Sequence, residues 1–502
     1  MFIETAIGSL TEPLTGRRWD PKEIGSRTLR REAQLRGLGF RPGDRAFLHQ
    51  GNSLEFFVDL LAVWTIGGCV IPIDGRLTAH EIGVLAGAAR PRLSLWKEEA
   101  DRQVASRLAD AGVTVIDEGT SADPQAGIVE NAQPGPSLDD EALILFTSGT
   151  TGEPKGVVHT HRTLRARWFG LRGPLGNRRY RRTLCLLPTH FGHGLICNCL
   201  YPWLSGQDLY VLPPFRADIV LQLGELLDEH EITFMSSVPA LWRFALKTAA
   251  PPRKGSIERV SCGSAPLSAR LWEGIREWAG TEDVLNTYGI TETGSWVAGT
   301  TIPGLIPTDG LIGVPWGAEL KILATMDTTL PPWRAEACAA GEEGYVWLNT
   351  PALMTGYLDR DDLTRAVVSH GWFMTGDIGV LEDGLFFLRG RAREEINKGG
   401  MKVHPGDVDA VVESFHATAD VCTFGFEDPL YGEDVGIAVV LEKRDPETIA
   451  ELRSWVQERI ARHKMPRRWY LLDAIPRSPR GKINREEVAR ACSALEPMDT
   501  HV

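Results

Sequence analysis

The chain has 502 residues, 43% hydrophobic and 24% charged, with a net charge of −12 and an isoelectric point near 5.6. That length supports large cores and about two to four domains or subdomains. The acidic balance excludes non-specific nucleic-acid binding through bulk charge.

The eight cysteines (Cys69, Cys185, Cys197, Cys199, Cys262, Cys338, Cys422 and Cys492) include no C-x-x-C pair and read as reduced thiols of a cytoplasmic protein. The opening MFIETAIGSL lacks a basic region and an apolar core, so no signal peptide is expected. No apolar run approaches the ~18 residues of a membrane span.

Helical spacing over 24–37 stops at Gly37-Leu38-Gly39. A strand follows at Asp44–His49, then an amphipathic or buried helix at Leu54–Ile66, a strand at Cys69–Ile73 and a helix at Leu77–Ala89. Leu93–Trp96 and Val113–Ile116 continue the alternation, which predicts an α/β fold with a largely parallel sheet. The Pro/Gly/Ala/Asp-rich stretch Thr120–Asp140 reads as a surface linker.

The strand Leu143–Phe146 then leads into Thr147-Ser148-Gly149-Thr150-Thr151-Gly152-Glu153-Pro154-Lys155-Gly156. Glycine admits the positive φ angles that let successive N–H groups converge, and such a nest binds anionic oxygen. Hydroxyls and Lys155 add donors and a positive charge, which together suit a polyphosphate. The spacing is not that of a Walker loop.

Val157-Val158 reads as the returning strand and Thr160–Gly170 as a helix. The basic turn Gly173–Arg182 reads as a solvated loop, with contact to the phosphates of a nucleotide-like thiol as the alternative. A strand at Leu184–Pro188 ends in Thr189-His190-Phe191-Gly192-His193-Gly194-Leu195. Cys197-Asn198-Cys199, inside the apolar run Leu195–Leu204, reads as small buried hydrophobes rather than a metal site.

Two strand-to-helix turns follow, Ile232–Pro239 and Val260–Ser268. In Asn286-Thr287-Tyr288-Gly289-Ile290-Thr291-Glu292-Thr293-Gly294, Tyr288 offers a flat ring to a base, Gly289 permits close backbone approach, and Glu292 offers a hard oxygen to Mg²⁺. Gly310–Glu319 and Gly344–Tyr357 suggest a small β-rich subdomain. Asp377, in Gly371–Asp377, presents a carboxylate suited to vicinal hydroxyls. The last 110 or so residues read as a small α+β domain, with a helix at Val408–Ser414 and a strand at Val435–Leu441.

The order T-S-G-T-T-G-x-P-K, then Y-G-x-T-E, G-D and G-R, K-G-G, and finally P-R-x-x-x-G-K at Arg477–Lys482 resembles the adenylate-forming enzymes: acyl- and aryl-CoA synthetases, luciferases and peptide-synthetase adenylation domains. The resemblance spans essentially the whole chain and is strongest to stand-alone acyl- or aryl-CoA ligases. It implies an α/β N-terminal domain (1–390) of parallel-rich sheets with flanking helices, a hinge at 391–394 about Arg393, and a mobile C-terminal domain (395–502). The family's hinge residue is commonly Asp or Lys, so Arg393 keeps the charge class but is a departure.

By the same resemblance, Lys482 is the catalytic lysine of adenylation. Thr147, Ser148, Gly149, Thr150, Thr151, Gly152 and Lys155 grip the polyphosphate, and Thr147 and Glu292 attend Mg²⁺. Gly263, Ser264, Ala265, Pro266, Asn286, Thr287, Tyr288, Gly289 and Thr291 border the adenosine. Asp377 and Arg391 hold the ribose, and Lys398, Gly399 and Gly400 line the thiol tunnel. The implied acyl pocket comprises His190, Phe191, His193, Ser237, Val238, Cys262, Gly263, Gly289 and Trp296.

Phe191 holds the position of the family's gating aromatic, often histidine, and histidines flank it. Which of the three gates is left open at this point. No acid lies between Leu186 and Gly206 to pair an ammonium, which disfavours an α-amino acid. The implied reaction is ATP- and Mg²⁺-dependent formation of acyl-AMP followed by transfer to CoA, with an aromatic, cyclic or medium aliphatic acid. The rivals are loading of a separate carrier protein's phosphopantetheine, a silent scaffold on the same fold, and a luciferase-like oxygenase.

Overall fold

The computed structural model describes residues 7–117, 135–148, 154–214, 216–398, 401–428, 432–460, 462–477 and 483–498. Among these, the strands form sheets of fourteen, seven and five.

In the largest sheet Leu10–Glu12, Asp208–Val211, Arg182–Cys185, Phe234–Ser237, Arg259–Gly263 and Val284–Ile290 run parallel, side by side in that order. Beyond Val284–Ile290 the direction alternates. Ser295–Gly299, Leu311–Pro315, Leu385–Arg391, Trp372–Glu382, Gly344–Asn349 and Glu319–Leu323 extend the same sheet antiparallel. The expected β-rich subdomain is therefore continuous with the parallel sheet through backbone hydrogen bonds.

The seven-stranded sheet is ordered Gly356–Tyr357, Pro154–Thr160, Glu141–Ser148, Cys69–Pro72, Arg45–Leu48, Leu93–Leu95, Thr114–Ile116. The helix Leu54–Ile66 is buried at every position except Glu55 and Thr65. Its side chains share one core with Ala46 and Leu143 of the seven-stranded sheet and Cys185, Val211 and Phe234 of the larger one. A helix apolar all round is stable only when enclosed on all sides. Ser53 caps its first turn, and Gly67, at φ 91°, ends it in the left-handed conformation.

The five-stranded sheet carries the helices Pro405–Glu413, Pro446–Gln457 and Arg485–Ser493 around its own core. It meets the larger part through Arg243–Glu413 (3.0 Å), Lys247–Glu442 (2.8 Å) and His404–Glu343 (2.9 Å). Arg270 also donates to the carbonyls of Glu413 (3.1 Å) and Phe415 (3.0 Å).

Two local outcomes differ from the sequence reading. The apolar run after His193 winds as a π-helix, His193–Leu200, continued by Tyr201–Trp203. π geometry is rare and recurs beside functional sites. The amphipathic helices Arg102–Asp110 and Pro446–Gln457 are additional to those read from the sequence, and the helix expected after Ser268 runs Ala269–Ala279. All eight cysteines are free, and all but Cys338 are buried.

Candidate active site

In an open parallel sheet, side chains converge at the carboxyl ends of the strands, where loops can approach a ligand. Here Phe234–Ser237, Arg259–Gly263 and Val284–Ile290 end together, in register: Ser237 lies beside Cys262, and Gly263 beside Thr287. A side chain at Gly263 would strike Thr287 Oγ1 at 2.3 Å, and one at Gly289 would strike the Ser295 carbonyl at 2.1 Å. Both glycines thus keep these loops close.

Tyr288 Oη donates to Asp377 Oδ2 at 2.5 Å, and Arg391 Nε lies 3.0 Å from Asp377 Oδ1. Asp377 and Arg391 are register partners on adjacent antiparallel strands. Burial and the facing Asp377 carboxylate push the Tyr288 hydroxyl well up, so it stays protonated and donating. Asp377 holds Arg391 as a fixed cation, raised above its ordinary value. The array presents an aromatic ring, a carboxylate and a guanidinium in one place.

Glu292 is fixed from two sides. Tyr357 Oη donates to its Oε1 at 2.7 Å, and Met354 N donates to its carbonyl at 2.7 Å. Lys155 Nζ sits 5.5 Å above the Tyr357 ring, and Tyr357 pairs with Val157 on the strand carrying Lys155. His159, on that same strand, lies 2.8 Å from the Thr291 carbonyl through Nε2. Burial lowers His159 to about 4, keeping the ring neutral. Thr147 and Lys155 are register partners at the base of the phosphate-loop hairpin. The loop's segment 149–153 lies outside the described residues, as do Gly399, Gly400 and Lys482; of Ser148 and Arg393 only the backbone is described.

The three aromatic side chains of the 190–193 loop separate clearly. His193 is buried, with Nδ1 2.8 Å from Ser264 Oγ and Nε2 2.6 Å from Ser236 Oγ. His190 Nε2 lies 3.3 Å from Asp74 Oδ2, and that contact together with Arg76 holds the Asp74 carboxyl far below the usual range despite burial, which opposes it. Phe191, half-buried and without a polar handle, packs edge-on against His190 at 4.4 Å. Asn52 anchors the loop itself: its amide donates to the Leu187 and Leu212 carbonyls, both at 2.9 Å, and its oxygen accepts from Thr189 N at 2.9 Å.

Several expected site residues are occupied elsewhere. Ser237 Oγ accepts from Trp242 Nε1 (2.6 Å) and donates to the Ser261 carbonyl (2.7 Å), so it pins a strand end rather than facing a pocket. Cys262 is fully enclosed, its thiol pushed up to about 12 by burial. Asn286 donates to the Leu311 carbonyl (2.8 Å) and Thr287 Oγ1 to the Cys262 carbonyl (3.2 Å). Lys398 pairs with the buried Asp434 at 2.5 Å, inside the small domain.

The sequence reading missed Asp74, Ser236, His159 and Asn52, none of which stands in a recognisable motif. Tyr357 stands in a Gly-Tyr pair whose partner only the fold reveals. Arg477 and Ile483, on either side of residues 478–482, form an antiparallel bridge.

The basic turn lies at the opposite edge. Arg179 pairs with Asp283, Arg181 with Glu258 and Arg182 with Glu231. Asp283 and Glu258 immediately precede parallel strands, so this turn stands at their amino ends, away from Gly263 and Gly289. The arginine side chains are partly exposed there, as in a solvated loop, although Gly173–Leu175 belong to the preceding helix and Tyr180 is buried.

Among curated proteins, the chain is 28% identical to an oxalate–CoA ligase of Arabidopsis thaliana, covering 90% of this chain and 89% of that one. It is 29% identical to a 2-succinylbenzoate–CoA ligase of a Geobacillus strain, covering 93% and 91%. Among solved structures, o-succinylbenzoate CoA synthetase from Bacillus subtilis, in complex with its acyl-adenylate intermediate, superposes with a TM-score of 0.81 over 96% of this chain and 95% of that one, at 24% identity. The AMP-binding enzyme pattern matches residues 14–358 and the AMP-binding enzyme C-terminal domain residues 407–482. With both parts present in order over most of its length, the chain belongs to the AMP-binding enzyme family.

Proposed function

We propose that this protein is an AMP-forming acid–thiol ligase that activates a carboxylic acid with ATP and transfers the acyl group to CoA. The observation that carries the reading is the Tyr288–Asp377–Arg391 array beside the Glu292–Tyr357 turn at the carboxyl end of the parallel sheet.

In the first half-reaction a carboxylate oxygen attacks the α-phosphorus of ATP, and the bond to pyrophosphate breaks. Two anions must approach, so positioning and charge neutralisation supply most of the catalysis. Asp377 accepts from the ribose hydroxyls, and the Tyr288 ring stacks on adenine. Lys155 and the segment 147–152 hold the leaving pyrophosphate, and Lys482 bridges the carboxylate and the α-phosphate. Gly289 keeps the backbone close to the acyl–phosphate junction.

Glu292 fits Mg²⁺ because Tyr357 engages Oε1 and leaves Oε2 as a hard ligand, with the Thr147 hydroxyl as the accompanying donor. When bound, the ion offsets charge on the leaving pyrophosphate. In the second half-reaction the thiol attacks the acyl carbonyl, loses its proton, and AMP leaves. Rotation about Arg393 exchanges the Lys482 loop for the Gly399-Gly400 loop, a gating step rather than a source of chemistry.

The relatives named above act with CoA, which favours CoA over a carrier protein as acceptor. Phe191 serves as the gate, since His193 and His190 are tied to Ser236, Ser264 and Asp74. The eight free thiols suit a reducing compartment such as the cytoplasm, and no described helix is long and apolar enough to cross a membrane.

The test is pyrophosphate release over a panel of acids, with CoA present or absent, and with AMP and thioester identified as products. Thioester formed only on a phosphopantetheinylated carrier would transfer the acceptor role to that protein. Failure of every acid to yield pyrophosphate would leave a silent scaffold.

A further inference from the structure

The acyl end of the site centres on Trp296, a residue of the central core, and His193, which opens the π-helix. Trp296 lies directly opposite Gly289 in the antiparallel pair, so their side-chain positions share one face of the sheet. A large indole therefore occupies the space beneath the glycine that adjoins the acyl–phosphate junction. Trp296 is 2% exposed and packs edge-on against His193 (5.4 Å), Phe234 (6.5 Å) and Trp316 (6.4 Å), and its backbone N–H donates to Cys197 Sγ at 3.3 Å. Its position is fixed by the core, so it does not swing aside for a long acyl chain.

Next to it, His193 spans from the π-helix to two neighbouring strand ends by its bonds to Ser236 and Ser264. Ser264 holds a left-handed backbone at φ 67°, unusual for a residue with a side chain, and is exposed at the strand end. The bridge thus closes the floor with hydroxyls and imidazole instead of aliphatic groups. One donor there is unanswered: the Trp296 indole N–H is buried and has no partner among the described residues. A buried N–H in a native structure normally meets an acceptor. None of the ion pairs or cation–ring contacts among the described residues involves Trp296, Ser236 or Ser264.

Resting on the ligase reading above, we propose that Trp296 and the Ser236–His193–Ser264 bridge form a short, polar-ended acyl pocket selecting a small carboxylic acid that carries an uncharged hydrogen-bond acceptor, a keto or hydroxyl oxygen, at its far end. Arg167, the buried cation on this side of Trp316, is already bonded to the Thr293 and Trp316 carbonyls and Thr350 Oγ1, so a second carboxylate stripped of water would compete with those bonds, and an unsubstituted chain would leave the indole donor unmet. An aromatic or medium-chain acid would collide with the indole.

The test compares kcat/KM for pyrophosphate release with acetoacetate, 3-hydroxybutyrate, butyrate, malonate, benzoate and decanoate. For the wild-type enzyme, acetoacetate or 3-hydroxybutyrate is expected to exceed butyrate at least 10-fold and benzoate and decanoate at least 100-fold. Trp296→Phe keeps the bulk and removes the N–H, so the oxo-acid to butyrate ratio should fall about tenfold. Trp296→Ala should move the optimum toward benzoate or decanoate. Thermal melting of both variants separates lost selectivity from lost fold, and Ser236→Ala gives a milder third probe that should lower the same ratio.

A wild-type preference for benzoate or decanoate, or an unchanged order of acids in a folded Trp296→Ala protein, would overturn the pocket. Malonate exceeding acetoacetate tenfold would overturn the uncharged acceptor. Pyrophosphate release with none of these acids but with others from a wider panel would overturn this pocket alone, whereas failure of every acid to yield pyrophosphate would remove the ligase reading beneath it.

Discussion

Both ends of the parallel sheet carry charged side chains and use them differently. At the amino end, Arg179, Arg181 and Arg182 each meet an acid of the same surface, with arginine side chains 37–49% exposed. Water screens such pairs, and each contributes little. At the carboxyl end, Asp377 is 4% exposed and shared between Tyr288 and Arg391, and among the described residues Glu292 is engaged through Oε1. The carboxylate at the centre of this array is therefore desolvated, unlike the water-exposed pairs of the amino end. Charge density alone does not separate the two ends; burial of the central carboxylate does.

The sharpest way to break that contrast lies at the carboxyl end. Lys482→Ala is expected to lower acyl-AMP formation by about 10²–10³-fold, the range for removing one preorganised electrostatic group, while thioester formation from supplied acyl-AMP survives. Gly400→Leu should do the reverse. Single-turnover assays of each half-reaction decide it, and equal loss of both steps in either variant would count against alternation of the two loops.

Asp377→Asn should be next in size. It keeps the shape, lowers the charge facing Arg391 and removes one acceptor, so kcat/KM for ATP should fall about 10–100-fold, corresponding to about 1.4–2.7 kcal/mol. The acid's KM should move much less. A fall confined to the acid, measured at saturating ATP, would place Asp377 away from the nucleotide.

What could be read in the sequence follows the same division. The helix Leu54–Ile66 and the strands around Val70, Ile144 and Val260 were legible because long apolar runs between glycines leave few alternatives. The order of the site motifs was legible because each is short and local. Asn52, Asp74, Ser236 and His159 were not, because each acts on a segment distant in the chain through one or two hydrogen bonds. Arg167 is the extreme case. It is fully buried, lowered to about 10 by burial, and bonded to the Thr293 and Trp316 carbonyls and Thr350 Oγ1, holding the Glu292 turn from behind. In the sequence it is one more basic residue on a helix. Ser237 and Cys262, which the resemblance implies for the acyl pocket, are fully buried, with Ser237 Oγ bonded to Trp242 Nε1 and the Ser261 carbonyl.

Acid should expose the buried groups before the surface ones. Burial lowers His49 to about 3 and His159 and His161 to about 4, from an ordinary 6.5. Below pH 6.5 the unfolded chain takes up these protons and the folded chain refuses them, so stability falls with pH, by about 1.4 kcal/mol per unit for each histidine. Asp59 acts oppositely: burial raises it to about 6, so folding is favoured as it protonates below that pH. Three groups against one leave a net loss of about 3 kcal/mol per unit between pH 6 and 4.5. Urea denaturation at pH 7, 6 and 5 measures it, and His159→Gln should reduce the slope by about one group's share. A flat profile would mean that these rings are protonated in the fold.

The smallest effect belongs to the amino end, and it is the control that gives the contrast meaning. Arg181→Ala removes one exposed partner of Glu258, beside an open cavity of about 540 Å³ lined by Leu175, Gly176, Asn177, Arg178, Arg179 and Glu258. Stability should change by less than about 1 kcal/mol, as for exposed ion pairs generally, and both half-reactions should stay within about twofold of wild type, at least about fivefold less than the loss expected at Asp377. Asp283→Ala should cost more although it stands on the same edge, because Asp283 also holds Arg259, whose side chain is 6% exposed and would be left buried beside Tyr180 with no carboxylate. If Arg181→Ala instead lowered thioester formation selectively, the basic turn would be contributing to the thiol substrate after all, and the division between the two ends of the sheet would fail.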